Sequence, residues 1–203
     1  MKTRLTLILL FSFFSMFSYG QHFEITAFGG GTFDAGIDSY SANYYKAKVG
    51  GSFHFGGALD YFVSAHTSIG VNVISQPTSG YLYGSGMQEN VSDPMNITYI
   101  LAEGNQFFGQ GKIKEYGGIG LGAAIISPSG YTSATRFAVD IHAGLHFEIS
   151  DNIAIRIQLQ LDQPIDGGGY GIGIGTGGGN VDVTGYATIL QFGGNLGIVY
   201  RFK

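Results

Sequence analysis

Apolar and polar residues alternate along several stretches of this chain. The clearest stretch runs from 136 to 149, where the odd positions are apolar and most even positions are polar. After a tight turn at 150–152, the same parity resumes from 153 to 162. A period of two residues is typical of a β-strand with one apolar face and one polar face. The pattern therefore predicts an antiparallel hairpin in this region.

The same pattern predicts eight strands along the chain. They fall at 22–33, 45–61, 66–76, 95–108, 112–127, 135–149, 153–165 and 185–202. The links are short near 62–65, 109–111 and 150–152, and long near 34–44, 77–94 and 166–184, with a shorter one of this second group at 128–134. An even number of strands, with short turns at one end and longer loops at the other, is typical of membrane β-barrels.

Three parts of this pattern carry further expectations. Within 45–61, Val49 and Phe53 fall on one face, and His54 falls on the other. Between 94 and 127, Glu103 interrupts an apolar parity and several glycines blur the next strand, so we expect a bulge or a shifted register there. The glycine-rich link after 165 fits either an extension of its flanking strands or a disordered loop.

The first twenty residues have the layout of a cleavable secretory signal. Lys2 and Arg4 precede an apolar block from 5 to 17, and Gly20 follows at the expected cleavage site. The block is shorter than the roughly 20 residues that span a bilayer as a helix. We therefore expect a signal peptide at 1–20 and one domain at 21–203. Because the chain has no Cys, lipid modification of the terminus and disulfides are excluded.

Composition narrows the class of protein. Removal of Lys2 and Arg4 leaves eight basic residues against fourteen acidic ones, a formal charge of −6, which argues against a nucleic-acid partner. The chain has 35 Gly, 13 Tyr and 16 Phe but only 12% charged residues, which suits short strands with aromatic girdles. After the signal, no apolar stretch is long enough for a membrane helix, so a spanning structure must be a barrel.

Alternation alone also fits a soluble barrel with its apolar side chains inside. Three features instead favour a barrel whose apolar side chains contact lipid on the outside. They are the full charges on the polar faces, the long links at one end only, and the sequence motif of the last strand. A Lys or Arg facing lipid at mid-membrane costs roughly 2–4 kcal/mol. None falls on the apolar face of the regular strands.

The last strand carries the most specific motif. Asn195, Gly197, Tyr200 and Phe202 form a polar-x-Gly-x-x-aromatic-x-aromatic ending. This ending resembles the C-terminal assembly signal that the barrel-insertion machinery recognises. From 23 to 202 the chain is similar to the small eight-stranded outer-membrane barrels of the OmpA and OmpX type, and most closely to the outer membrane protein beta-barrel domain family of Bacteroidota.

The resemblance implies an all-β, antiparallel, up-and-down eight-stranded transmembrane β-barrel, integral to the bacterial outer membrane. It also implies contact with outer-membrane lipids, and with periplasmic chaperones and the barrel-assembly machinery during biogenesis. We expect two structural ion pairs in the lumen. One joins Glu148 to Arg156 across the predicted hairpin, and the other joins Glu24 to Arg201 at the barrel seam.

Candidate chemistry is sparse. His142 and His146 share a face but lie about 13 Å apart along a strand, too far for one ion. His66 and Ser68 resemble the catalytic pair of lipid A deacylase barrels, but they fall at the wrong end of a strand and Ser68 points to the polar face. We therefore predict no catalytic residue, cofactor or metal.

The predicted external loops hold only acidic charges, which suits a solvated surface, divalent-cation binding or repulsion of anionic partners. These residues are Asp34, Asp38, Glu89, Asp93, Asp166 and Asp182. We expect a non-enzymatic barrel acting in envelope integrity, adhesion or surface recognition. The alternatives are a narrow pore or conduit for small apolar molecules and, less favoured, a lipid-modifying enzyme. The sequence identifies no extracellular partner.

Overall fold

The computed structural model describes residues 22–38, 45–84, 91–165 and 189–202. No stretch of these residues forms a helix long and apolar enough to cross a membrane. The predicted signal peptide and the whole 166–184 link lie outside the described residues. The strands are β1 (Phe23–Thr32), β2 (Ala35–Asp38), β3 (Tyr45–Val49), β4 (Phe53–Phe62), β5 (Thr67–Gly84), β6 (Val91–Phe108), β7 (Ile113–Pro128), β8 (Ala134–Glu148), β9 (Ile153–Ile165) and β10 (Gln191–Phe202).

Eight of these strands close into a barrel. The ring runs β1, β4, β5, β6, β7, β8, β9, β10 and back to β1, and neighbouring strands are antiparallel throughout. The closing ladder pairs Phe23 with Phe202 and Thr32 with Gly193. The predicted all-β, antiparallel, up-and-down eight-stranded barrel is therefore confirmed. We call the end that holds the start of β1 and the finish of β10 the terminal end, and the opposite end the loop end.

The β2–β3 hairpin extends the barrel wall at the loop end. Two of its odd-numbered side chains, Ala35 and Val49, are buried, whereas the even-numbered side chains of β1 and β4 are the buried ones. Val49 is only 2% exposed, whereas Phe53 is 63% exposed. The prediction that these two residues share a face is wrong, because residues 50–52 leave the strand between them. A Cβ at Gly51 would lie 2.5 Å from the Thr32 carbonyl oxygen, so this close crossing requires glycine.

The β5–β6 hairpin is longer than the sequence pattern predicted. Most of the predicted 77–94 link is strand, since β5 continues to Gly84 and β6 begins at Val91. This part of the hairpin contains Pro77 and Pro94. Each lies where its strand pairs on one side only, because the β4 ladder ends at Ser75 and the β7 ladder begins at Met95. A proline is tolerated there because no second ladder needs its missing N–H.

No bulge or register shift interrupts β6 and β7, which pair without a break from Met95–Pro128 to Phe108–Glu115. The expected irregularity arose from the assumption that apolar residues face outward. Ile97, Tyr99 and Leu101 instead face the lumen, on the same side of β6 as Glu103. The parity of β6 is therefore intact, and its inward face changes from apolar to polar along the barrel.

The lumen has two layers of different polarity. An apolar cluster fills the part nearer the loop end and includes Ile74, Ile97 and Leu101. Buried charged and amide side chains predominate in the part nearer the terminal end, where they surround a smaller aromatic cluster of Phe62, Phe107 and Tyr116. The outer surface is apolar on every barrel strand, as Ile25, Leu59, Val71, Ile100, Leu121, Ile141, Ile157 and Ile198 show.

Candidate functional site in the barrel lumen

Arg156 is the central cation of the polar layer. Its guanidinium donates to Asp60 Oδ2 at 3.0 Å and to Glu24 Oε2 at 3.4 Å. The guanidinium carbon also lies 5.1 Å from the ring centre of Tyr116. A buried guanidinium is stable only when ionised or polar partners replace its water, and an aromatic face adds a cation–π contact.

Arg201 forms a second junction at the barrel seam. Its Nε donates to Glu24 Oε1 at 2.9 Å, and the two residues are direct partners in the β1–β10 ladder. The structure thus brings the predicted pair Glu24 and Arg201 together. Arg201 Nη2 also donates to Glu148 Oε1 at 3.0 Å, and Lys114 Nζ donates to the same oxygen at 2.8 Å.

The predicted pair of Glu148 and Arg156 is replaced by other partners. The register that suggested it is present, since His146 lies opposite Arg156. Arg156 reaches across the lumen to β1 and β4, where buried carboxylates meet it. Glu148 lies where the lumen opens at the terminal end, which we call the terminal mouth, and there it forms ion pairs with Arg201 and Lys114. A hairpin register cannot show such cross-lumen contacts.

A second polar group, the mid-lumen cluster, consists of Glu103, Asp140 and His142. All three side chains are buried, and one potential ligand atom from each lies within 4.8 Å of the others. His142 Nδ1 contacts Asp140 Oδ1, and His142 Nε2 lies 2.6 Å from Asn105 Oδ1. Asn72 Nδ2 donates to Glu103 Oε1 at 2.7 Å. Sequence reasoning compared His142 only with His146 and so missed these partners.

One local signal pointed to this cluster. Asp140 and His142 are two residues apart, so they share a face of β8. The third member, Glu103, comes from β6, which is separated from β8 by β7. Only closure of the barrel brings Glu103 to them.

A row of amides on β9 and β10 continues the polar layer. Tyr116 Oη donates to Gln158 Oε1 at 2.7 Å, and Gln160 Nε2 donates to Asp162 Oδ2 at 2.7 Å. Asn195, from the predicted assembly signal, joins this row through a 2.6 Å bond to Gln160.

The other residues of the predicted assembly signal lie on the two faces of β10, with Tyr200 and Phe202 on the outer face and Gly197 on the inner face. Tyr200 and Phe202 lie exposed on the outside, with ring centres 4.9 Å apart. Gly197 faces inward, where an added Cβ would lie 2.9 Å from Thr26 Cγ2.

His66 and Ser68 occupy different environments. The Ser68 hydroxyl is buried and donates to Asp60 Oδ1 at 3.3 Å, whereas His66 is exposed in the turn before β5. The arrangement places the hydroxyl in the lumen ion network, away from the outer surface of the barrel.

Of the predicted loop acids, Asp34 has defined partners at the loop end. It accepts from the Gly51 N–H at 2.6 Å and pairs with Lys48 at 2.5 Å. The Gly51 hydrogen bond, followed by the Lys48 interactions, lowers the pKa of Asp34 below its usual value. Asp38 and Asp93 lie in β2 and β6. The other three, Glu89, Asp166 and Asp182, are outside the described residues.

No protein-family model and no curated protein matches this sequence. Solved structures do match. OprG from Pseudomonas aeruginosa is 12% identical over 90% of this chain and 96% of its own, with a TM-score of 0.59. Neisserial surface protein A is 14% identical over 89% and 97%, with a TM-score of 0.58. Ail of Yersinia pestis, in complex with the heparin analogue sucrose octasulfate, is 14% identical over 90% and 100%, with a TM-score of 0.51.

These likenesses concern the fold. This chain shares the fold of a small closed β-barrel with these solved proteins. In this chain, side chains fill the described part of the barrel interior. The resemblance to small outer-membrane barrels is confirmed at this level. The OmpA and OmpX label and the Bacteroidota family stay predictions.

Proposed function

We propose that this chain is an integral protein of the bacterial outer membrane, exported by a cleaved signal peptide, whose barrel supports its long loops at the cell surface. The observation that carries the proposal is the apolar outer surface. Side chains such as Leu59, Ile141 and Ile198 stand 47%, 55% and 67% exposed, while full charges are buried inside. Soluble monomers rarely expose apolar patches beyond a few hundred Å². A lipid environment removes that cost, and closure of the eight-stranded ring pairs each barrel strand on both sides along the length that its two ladders share.

Biogenesis then follows the path of such barrels. Periplasmic chaperones would hold the unfolded chain, and the barrel-assembly machinery would receive the last strand. The exposed positions of Tyr200 and Phe202 support their role as the signal, because a partner can reach both rings from outside. Both termini would lie in the periplasm, and the loop end would face the outside.

At the surface the proposed role is non-enzymatic, in envelope integrity, adhesion or recognition. A lumen closed by ion pairs and packed side chains suits a rigid scaffold. Ail binds a polysulfated heparin analogue. The links 34–44, 77–94, 128–134 and 166–184 of this chain hold acidic residues and no Lys or Arg. The adjoining β2–β3 hairpin adds Lys46 and Lys48 at the same end, and the six acidic residues of the links outnumber them. Electrostatics therefore favour a neutral or cationic surface partner over a sulfated glycan.

Protease shaving of intact cells, followed by peptide mapping, tests the location and the orientation. We expect cleavage only within the four longer links, and a processed chain that stays with outer-membrane fractions. A processed chain that remains a compact monomer in detergent-free buffer would contradict the proposal.

A conduit for small apolar molecules is the second candidate function. The observation that favours it is the apolar layer of the lumen near the loop end, which includes Ile74, Ile97 and Leu101. Liposomes containing the folded barrel should then take up a small apolar probe faster than empty liposomes. Equal uptake rates, together with silent planar bilayers, would count against this function.

The lipid-modifying alternative has little support, since the Ser68 hydroxyl is turned into the lumen. Mass spectra of lipid A from cells that overproduce the protein should match those of control cells. A new lipid A species that disappears with Ser68→Ala would restore the enzyme hypothesis.

A further inference from the structure

We propose that the mid-lumen cluster of Glu103, Asp140 and His142 binds one divalent transition-metal ion. The three side chains are 8%, 1% and 4% exposed, and a carboxylate oxygen from each acid and a ring nitrogen of His142 lie within 4.8 Å of one another. Two ligands held at about 2.1 Å from one ion are at most about 4.2 Å apart. Side-chain movements of about half an ångström would therefore complete the coordination. This inference rests on the lumen geometry and goes beyond the proposed function.

The charges around the cluster support a cation. Asp162 lies directly opposite Asp140 in the β8–β9 ladder, so three buried carboxyl groups share this part of the lumen with His142. Arg156 is bonded to Asp60 and Glu24 instead. Asp140 Oδ2 and Asp162 Oδ1 are both buried, and neither atom has a hydrogen-bond partner within the part of the chain that the structure describes. Buried carboxylates are costly unless a cation or a hydrogen-bond donor compensates them, and a dication would do so.

The hydrogen bonds around His142 are those of a metal ligand. Asn105 Nδ2 donates to Asp60 Oδ1 at 3.1 Å, which turns Asn105 Oδ1 toward His142 Nε2. The Nε2–H therefore donates to Asn105, and Nδ1 faces the Asp140 carboxylate. Metal-binding histidines use one nitrogen for the ion and donate from the other in this way. On binding, the ion would take the place of the proton between His142 Nδ1 and Asp140 Oδ1.

Two glycines of β7 keep the space beside the cluster open. A Cβ at Gly120 would lie 3.2 Å from Asp140 Cβ and 3.3 Å from Glu103 Cγ. A Cβ at Gly118 would lie 2.4 Å from His142 Nε2. These clearances account for glycines that the strand pattern alone leaves unexplained.

The donor set selects the class of ion. One imidazole nitrogen with carboxylate oxygens suits zinc and neighbouring first-row divalent metals better than calcium or magnesium, which prefer oxygen ligands alone. Because β7 separates β6 from β8, the ion would also join two strands that are not neighbours. A bound metal should therefore stabilise the closed barrel as well as neutralise its interior.

Zinc binding by the mature barrel, refolded in detergent micelles and stripped with a chelator, tests the proposal. Isothermal titration should give one zinc per barrel, and zinc should raise the melting temperature. Glu103→Gln and His142→Gln should each weaken binding by more than about 100-fold, since loss of an outer-shell partner alone costs 10–100-fold. The matched controls Glu148→Gln and His66→Gln should leave the stoichiometry and affinity unchanged.

A measurement on the unaltered protein covers the case in which a variant fails to fold. X-ray absorption of the zinc-loaded barrel should show one imidazole nitrogen and carboxylate oxygens around the metal. Absence of zinc binding by the folded barrel, or a zinc shell without imidazole, would overturn the proposal. Equal affinity in a folded His142→Gln variant would overturn it as well. None of these outcomes bears on whether the barrel resides in the outer membrane.

Discussion

At the scale of single residues, Arg156 shows how much the interior depends on paired charge. Its guanidinium is held between Asp60 and Glu24, with Tyr116 beneath it. The net contribution of such a buried pair to stability is small, because desolvation offsets the attraction. Loss of one partner is different, since it leaves a buried charge without compensation.

Asp60→Asn should therefore destabilise the barrel strongly. We expect the free energy of unfolding to fall by about 3–5 kcal/mol, because Arg156 and Ser68 both lose a carboxylate partner. Urea unfolding followed by far-ultraviolet circular dichroism is suitable, since the chain has no Trp. Glu148→Gln is the control at the partly exposed terminal mouth, with an expected loss of about 1 kcal/mol or less. Equal losses in the two variants would contradict this prediction.

Two glycines on neighbouring strands should differ in how much stability they lose on substitution by alanine. A Cβ at Gly122 would lie 2.0 Å from the Ile100 carbonyl oxygen, whereas a Cβ at Gly104 meets nothing within 4 Å. Gly122→Ala should lower the free energy of unfolding by about 1–3 kcal/mol because backbone must move. Gly104→Ala should change it by less than about 0.5 kcal/mol. Thermal melting in detergent checks both variants. If Gly122→Ala melted at the same temperature as the unaltered protein, β6 and β7 would lie farther apart than the structure shows.

At the scale of elements, the four prolines mark where ladders end. Pro77, Pro94, Pro128 and Pro164 each lie where one neighbouring ladder has already stopped. The chain thus has long strands at its loop end without a proline inside a doubly paired segment. This placement explains why the strands tolerate these prolines, since no second ladder needs the missing N–H at these positions.

Val73→Pro should prevent the barrel from closing. Val73 pairs with Gly57 on one side and Ile100 on the other, so a proline there removes a ladder hydrogen bond. Pro77→Ala, four residues along the same strand, should fold normally. The fast-migrating band that folded barrels give in unheated electrophoresis samples distinguishes the two. A compact Val73→Pro band would contradict the doubly paired placement.

The ion pair of Asp34 and Lys48, which we call the charged clasp, lies at the break between β1 and β2 and should titrate at acidic pH. Asp34 is bound by the Gly51 N–H and by Lys48, and its pKa is lowered. Because the folded pKa lies below the unfolded one, the clasp stabilises the β2–β3 hairpin at neutral pH. That contribution is lost as the pH falls through the lowered pKa. Carboxyl NMR shifts should give an Asp34 pKa that rises in Lys48→Gln, and an unchanged pKa would refute the pairing.

At the scale of the whole molecule, the barrel has an apolar exterior and a lumen of two layers. The exterior suits the proposed lipid environment. The polar layer ties β1, β4, β9 and β10 together through Glu24, Asp60, Arg156 and Arg201. The apolar layer adds packing of buried side chains nearer the loop end, including Tyr99, whose hydroxyl lies 3.4 Å from Gln191 Oε1. Stability therefore has two sources at opposite ends of one lumen.

A charge placed on the exterior tests whether lipid surrounds the barrel. Ile141→Arg puts a cation on the middle of β8, where we expect the free energy of unfolding in vesicles to fall by about 2–4 kcal/mol. Thr135→Arg lies on the same face near the loop end of the strand and should cost about 1 kcal/mol or less. Two equally harmless substitutions would indicate that water covers this surface.

The sequence by itself determined the strand period, the barrel class, the β8–β9 register and the polarity of the last strand, because a two-residue alternation is local. It also placed Glu24 against Arg201, since the first and last strands of a closed barrel must meet. Only the tertiary structure decided that Ile97, Tyr99 and Leu101 face inward. It also decided that Arg156 contacts Asp60, and that Glu103 lies close to His142. Those contacts cross the lumen between strands that are not neighbours, and closure rather than local pattern sets which side chains meet there.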